Sequence, residues 1–224
     1  MAELFDEWPD TYDQWFETPI GRLIKRYESE LISQMLAPRS GETILDAGCG
    51  TGIFTSDIIE AGGRVFGLEL SSEMLRRARV RFKANAFQPV LGNMLTLPFE
   101  DHSFQKAVSL TAMEFIEDAS AAIDELFRVT QPGGVIVVAT LNALSPWADL
   151  RIKEAQNGHP LFRHAIFRSP TELLNASPVK GTAKTAIHFE KGADPDTAPE
   201  IEASGQRKGL DTGAFLAVRW EKPT

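Results

Sequence analysis

The stretch ILDAGCGTGIF, Ile44 to Phe54, constrains this chain more than any other. An apolar run ends in an acid, Asp46, and is followed by Gly48, Gly50 and Gly52. A buried strand that opens into a glycine turn and then a helix is the plan of a nucleotide-binding crossover unit. Without Cβ atoms the turn can approach a ligand closely. The dinucleotide fingerprint G-x-G-x-x-G needs glycine at position 53, and that residue is Ile53. The spacing here is G-x-G-x-G, with Asp46 two residues ahead of it. A pyrophosphate seated on a helix N-terminus is opposed by a carboxylate beside it. S-adenosylmethionine (SAM) has no phosphate, and its ammonium and sulfonium tolerate or use an acid there. Glu69 ends the next strand, 19 residues after Gly50, where a carboxylate can accept both ribose hydroxyls. Nicotinamide enzymes use the same device, so Glu69 argues for an adenosine without choosing between the cofactors.

Around this loop, strand and helix patterns alternate. GRLIKRYESELISQML spaces Leu23, Tyr27, Leu31 and Met35 along one helix face, with Pro38 after it. Strands are expected at 43–47, 64–70, 89–91, 106–111 and 135–140, and helices after the glycines to about Ala61, from Ser72 to about Ala84, and over ASAAIDELFRVT. Pro132-Gly133-Gly134 is read as the break before the strongest strand. Such alternation implies parallel crossover units and a doubly wound α/β sheet with helices on both faces. Beyond Thr140, Ser145-Pro146 and Ser169-Pro170 each open a helix, the second with Glu172 completing a capping box. Segments 185–190 and 213–220 read as final strands, and 191–212, polar and rich in Gly, Pro and acids, as a long surface loop.

Composition narrows the function. A formal net charge of −8 disfavours a phosphate backbone as partner. The basic run Arg76–Lys83 sits on a helix whose stripe is Leu75, Ala78 and Phe82, which turns its arginines to solvent. No apolar run approaches the ~20 residues of a membrane span, and the opening residues lack a signal peptide's basic end and apolar centre. Cys49 is the one cysteine, and His102, His159, His164 and His188 show no metal-ligand spacing. A cytoplasmic chain without metal, membrane or nucleic-acid partner is expected, while its oligomeric state stays open.

Four segments in order resemble the class I SAM-dependent methyltransferases, of the branch that holds quinone-biosynthesis and other small-molecule enzymes. They are ILDAGCGTG, VFGLELSSEML, GNMLTLPFEDHSFQKAVSL and ELFRVTQPGGVIVVAT, and together they span about residues 40–141. The resemblance implies a Rossmann-like sheet of seven strands, mostly parallel with an antiparallel last strand. It implies one methyltransferase domain over 1–224, with an N-terminal lid and helix (1–38), a cofactor-binding core (39–141), and acceptor-side helices with the final strand pair (142–224). Carried over by position, Asp46, Gly48, Cys49, Gly50 and Gly52 lie along the methionine part of SAM, Cys49 only as a small loop residue. Glu69 holds the ribose, Leu70 and Met74 cover the adenine, Asn93 and Met94 meet its edge, and Thr111 and Ala112 face the sulfonium. The family usually carries Asp where this chain has Asn93, whose carbonyl still accepts from an amino group.

Methyl transfer is an in-line displacement that depends mainly on orienting the reactants. Glu114, after the fourth strand, is placed to act as a base, with a solvated loop carboxylate as the competing reading. The amino-DNA signature is absent from TAMEFIED (111–118). Aromatics outside the cofactor motifs, Trp15, Phe16, Phe115 and Trp147, are expected to line an acceptor pocket. Residues 8–21 are expected to form a lid, with Tyr12 and Trp15 contacting cofactor or acceptor. The expected function is methyl transfer from SAM to a small, partly apolar or aromatic acceptor. A SAM-binding sensor or partner subunit without turnover is the alternative, and a nicotinamide enzyme of similar fold a weaker one.

Overall fold

The computed structural model describes Phe5, Asp6 and residues 13–224. Its strands are β1 (Thr43–Ala47), β2 (Arg64–Glu69), β3 (Phe87–Leu91), β4 (Phe104–Leu110), β5 (Thr130–Leu141), β6 (Thr182–Ala186) and β7 (Phe215–Glu221). They form one seven-stranded sheet in the order β3-β2-β1-β4-β5-β7-β6. The pairings from β3 across to β5 are parallel. β7 inserts antiparallel between β5 and β6. The strand order reverses between β1 and β4, and such a switch leaves a crevice at the strands' carboxyl ends.

β5 shows why the sheet carries two cores. Val135, Val137 and Ala139 pack into one cluster and Ile136 and Val138 into the other, since neighbouring strand side chains point to opposite faces. On the first face lie α1 (Pro19–Leu36), α2 (Thr55–Glu60), α3 (Ser72–Arg81), α5 (Pro146–Gln156) and α7 (Ala198–Lys208). On the second lie α4 (Ala119–Val129) and α6 (Pro170–Asn175). α1 begins at an N-cap, Thr18, whose hydroxyl accepts from the Gly21 amide at 3.0 Å, with Pro19 at the first turn. It presents Ile24, Tyr27, Leu31 and Met35 to β5, β6 and β7.

Three local expectations are overturned. The segment 191–212 is not a plain loop, because α7 occupies Ala198–Lys208. Its marks were in the sequence: Pro199 in the first turn, and Gly209 at the C-terminus with φ of 62°. Its buried Glu202 accepts the His188 amide at 2.7 Å. The strand expected over 185–190 lies earlier, at Thr182–Ala186, since Ile187 turns out of the sheet with φ of 66°. Pro132-Gly133-Gly134 does not interrupt β5, because a bulge against Phe104–Lys106 absorbs it. There the Gly133 amide donates to the Lys222 carbonyl at 2.8 Å. Smaller shifts put β3 at Phe87–Leu91 and β4 at Phe104–Leu110. Among the described residues no helix is long and apolar enough to cross a membrane.

Candidate active site

The crevice at the carboxyl ends holds a cavity of about 420 Å³. β1 delivers Asp46 and the glycine loop to it, β2 delivers Glu69, β3 leads to Asn93 and Met94, and β4 leads to Thr111 and Ala112. The loop is bent by amides of Gly48 and Cys49 that both donate to the Leu68 carbonyl, at 2.7 and 3.0 Å. Gly48 takes φ of 81°, and a Cβ there would stand 2.5 Å from the Ala112 Cβ. Both the backbone and the neighbour exclude a side chain. Gly50, at φ of 55°, borders the cavity, and a Cβ there would meet nothing within 4 Å. Its missing side chain leaves open space for a ligand.

Glu69, 8% exposed, fastens this loop to β2. The Gly50 amide donates to its Oε2 at 2.9 Å, and the amides of Leu70 and Ser71 to its Oε1 at 2.8 and 2.9 Å. Burial raises its pKa, against the pull of the three amides. Asp46 is buried, with the Thr55 hydroxyl donating to Oδ2 at 2.6 Å, while Oδ1 has no hydrogen-bond partner. Burial pushes its carboxyl up to about 7. A buried carboxylate oxygen without a donor is costly unless a ligand supplies one. An ammonium group would do so. The open space at Gly50, the orphan oxygen of Asp46 and the acidic end of β2 are therefore a fit for SAM.

Of the residues expected to hold a cofactor, Asp46, Gly48, Cys49, Gly50, Glu69, Leu70, Met74, Asn93, Met94, Thr111 and Ala112 all border this one cavity. Gly52 does not. A Cβ on it would lie 2.5 Å from the Phe82 ring, so it serves the packing of loop against helix. Tyr12 lies outside the described residues. Asn93 is exposed, and its Oδ1 accepts the Leu95 amide at 3.0 Å, the turn that shapes the end of β3. Asp can make the same bond, so Asn93→Asp should leave SAM affinity in calorimetry at least as high as in the parent chain. A large loss would displace the adenine edge from this turn.

The same cavity is bordered by Trp15, Phe16, Phe115 and Trp147, the four aromatics expected at an acceptor pocket. Phe16 and Trp147 are also buried core residues. Glu114 is no solvated loop acid: it is 2% exposed and accepts the Thr140 hydroxyl at 3.1 Å. Burial pushes it up to about 7. Composition and motif had passed over Phe5, Glu28, Arg151 and Glu154, which border the same cavity, as does Phe162, one of the aromatics outside the cofactor motifs. Glu28 was legible, since it shares the buried face of α1 with Ile24, Tyr27 and Leu31. An acid inside an apolar helical stripe is the signal. Its Oε2 has no hydrogen-bond partner, and burial pushes its pKa up to about 8. His159 borders the cavity too, stacked on Phe162 at 4.4 Å. Among the described residues no group of three or more His, Cys, Asp or Glu is arranged to hold a metal.

These raised carboxyls set a pH dependence of stability. Asp46, Glu114 and Glu28 keep protons in the folded chain, at about 7, about 7 and about 8, that the unfolded chain releases near its ordinary carboxylate values. Their contribution is full below those ordinary values and is lost as pH rises through about 7 to 8. The ligand-free protein should melt at a lower temperature at about pH 9 than at about pH 6, and Glu28→Gln should reduce the difference. A melting temperature that rises over this range would contradict the burial of these groups.

A family model described as a methyltransferase domain matches residues 45–138. A malonyl-[acyl-carrier protein] O-methyltransferase of Erwinia billingiae is 40% identical over 120 residues, 54% of this chain and 47% of that protein. The chain thus spans about half the length of the curated relatives of that name. An uncharacterized protein of Mycobacterium bovis is 33% identical over 215 residues, 92% of this chain and 70% of that one. Among solved structures, a SAM-dependent methyltransferase from Thermotoga maritima superposes with a TM-score of 0.71 at 21% identity, covering 99% of both chains. At that identity the likeness is one of fold.

Proposed function

The chain belongs to the class I SAM-dependent methyltransferases, and on that footing we propose that it transfers a methyl group to a small, partly apolar or aromatic acceptor. The observation that carries this reading is a single cavity bordered both by a glycine loop with two buried acids and by aromatic rings with a further set of buried polar groups. Bound at the glycine loop, SAM would supply an electrophilic methyl carbon on a cationic sulfur.

The chain's residues divide the remaining work. Asp46 Oδ1 accepts from the ammonium, and Glu69 Oε2, which takes only the Gly50 amide, has capacity left for a ribose hydroxyl. Leu70 and Met74 flank the adenine, Asn93 and Met94 meet its edge, and Thr111 and Ala112, which follow β4 and border the cavity, face the sulfonium. Trp15, Phe115 and Trp147 hold the acceptor and keep water out. Glu114, with a carboxyl near neutrality, takes the acceptor's proton. The Erwinia relative's name describes methylation of a malonyl group, a short acidic acyl chain, which is compatible with a cavity of about 420 Å³.

Incubation with labelled SAM and fractionated metabolites, followed by identification of the product, tests the reading. A methylated small molecule supports it. Intact SAM binding without any product would return the sensor alternative. In the same preparation Glu69→Ala should weaken SAM and S-adenosylhomocysteine by about 1–3 kcal/mol, a loss of charge-assisted hydrogen bonds. Unchanged affinity in calorimetry would remove Glu69 from the site.

A further inference from the structure

Within the acceptor half, the guanidinium of Arg151 stands out. It projects from α5 between two aromatic shelves, 5.2 Å from the Trp147 ring centroid and 5.6 Å from that of Phe162. Its Nη1 is buried and has no hydrogen-bond partner among the described residues. Three acids influence it electrostatically, Glu114, Glu28 and Glu154, and none makes an ion pair with it. Glu154 pairs instead with Lys191 at 3.1 Å. Glu114 is occupied by the Thr140 hydroxyl. Glu28 is buried on α1, and its raised carboxyl is uncharged at neutral pH.

We propose that Arg151 is the specificity-determining anchor of this site and that the acceptor it selects carries a carboxylate. The inference rests on the methyltransferase reading and deepens it. A planar guanidinium with buried, unused donors matches a carboxylate in geometry and charge. The rings of Trp147 and Phe162 hold the guanidinium's plane in place, so little ordering is needed when the ligand arrives. Glu28, which borders the same cavity with its carboxyl pushed up to about 8 by burial, presents an incoming anion with a donor and not a second negative charge. A cationic amine would face the guanidinium's positive charge, and only the buried, unpartnered oxygen of Glu154 would compete for it.

Three probes with one body test it: 3-phenylpropanoate, 3-phenylpropanamide and 3-phenylpropylamine, titrated into protein saturated with S-adenosylhomocysteine. The acid should bind roughly tenfold or more tighter than the amide, a difference of about 1.4 kcal/mol, and the amine more weakly than both. Arg151→Met should erase the acid's advantage over the amide. Arg151→Lys, which keeps the charge but not the fork, should retain a reduced preference for the acid. Equal binding of acid and amide to the parent chain, tighter binding of the amine, no binding of the acid at millimolar concentration, or an acid preference that survives Arg151→Met would each overturn the proposal. The parent chain alone decides the first three, so a variant that fails to fold leaves the test intact. The saturation step reports separately on the reading beneath: a protein that does not bind S-adenosylhomocysteine contradicts the cofactor site, and the acid–amide comparison is then read without it.

Discussion

Glu114→Gln should lower kcat by about 10²–10⁴-fold, the usual range for losing a positioned general base, and leave SAM affinity unchanged. The substitution is nearly isosteric, and the amide oxygen of Gln can still accept the Thr140 hydroxyl that Glu114 accepts at 3.1 Å. What disappears is the ability to take a proton. Burial holds the Glu114 carboxyl at about 7, so the fraction able to act as a base grows as pH rises through that value. kcat/KM of the parent chain should therefore climb between about pH 6 and pH 8 and then level, and the Gln variant should show no such limb. Stopped assays over that range check both statements. An undiminished rate in the variant would mean that the acceptor arrives as its own nucleophile, and would reduce Glu114 to a positioning group.

Deleting residues 1–14 should leave a chain that folds and binds SAM but transfers methyl on the order of 10²-fold more slowly, the scale of a small misplacement at a reacting centre. The described part of this segment is strapped over the cavity. Asp13 accepts the Thr51 hydroxyl at 2.6 Å and Arg81 at 2.5 Å, which ties it to the glycine loop and to the end of α3. Asp6 accepts the Ser71 hydroxyl at 2.5 Å. Phe5 borders the cavity and meets the Phe115 ring edge-on at 5.0 Å. The lid expected over 8–21 falls partly at 8–12, outside the described residues. The deletion stops short of Phe16, which packs against Phe54 at 5.5 Å, and of the Thr18 cap, so α1 keeps its start. Thermal melts, SAM calorimetry and product assays on the truncated chain separate the outcomes. Full activity would show that the strap has no part in transfer, and loss of cooperative melting would make it part of the core.

The cofactor half of the site was readable because its parts are local. The strand, the turn and the start of the helix around Gly48 and Gly50 are close in sequence, and their conformations follow from an apolar run and the glycines. Glu69 was placed by the fixed length of a crossover unit, which returns the chain to the end of the adjacent parallel strand. The unbroken apolar run Val135–Ala139 in β5 likewise announced a strand buried on both faces. Local pattern did less well where a distant partner decides the conformation. Ile187 leaves β6 to border the cavity, and the carbonyl of Phe189 accepts the Trp147 indole at 2.7 Å, a bond between positions 42 apart. α7 is held partly by the polar contact of Glu202 with His188, which hydrophobic periodicity does not see.

The acceptor half was legible only in part: its four aromatics and Glu114 were expected at the cavity and Glu28 stood out in an apolar helical stripe, while their environment depended on distant partners. Glu28 comes from the first helix of the sheet's framework, Glu114 from the turn after β4, and Arg151 from α5. Arg151, taken alone, is an ordinary charged residue of a helix, and nothing local says that Glu28 and Glu114 lose their water together. Packing brings them to one cavity wall, and burial there raises two carboxyls and leaves a guanidinium without a partner. Residue identity sets what a side chain can donate or accept. Its pKa and its unmet hydrogen bonds depend on the water and the partners that the fold removes or supplies, and those come from elements far away in the chain.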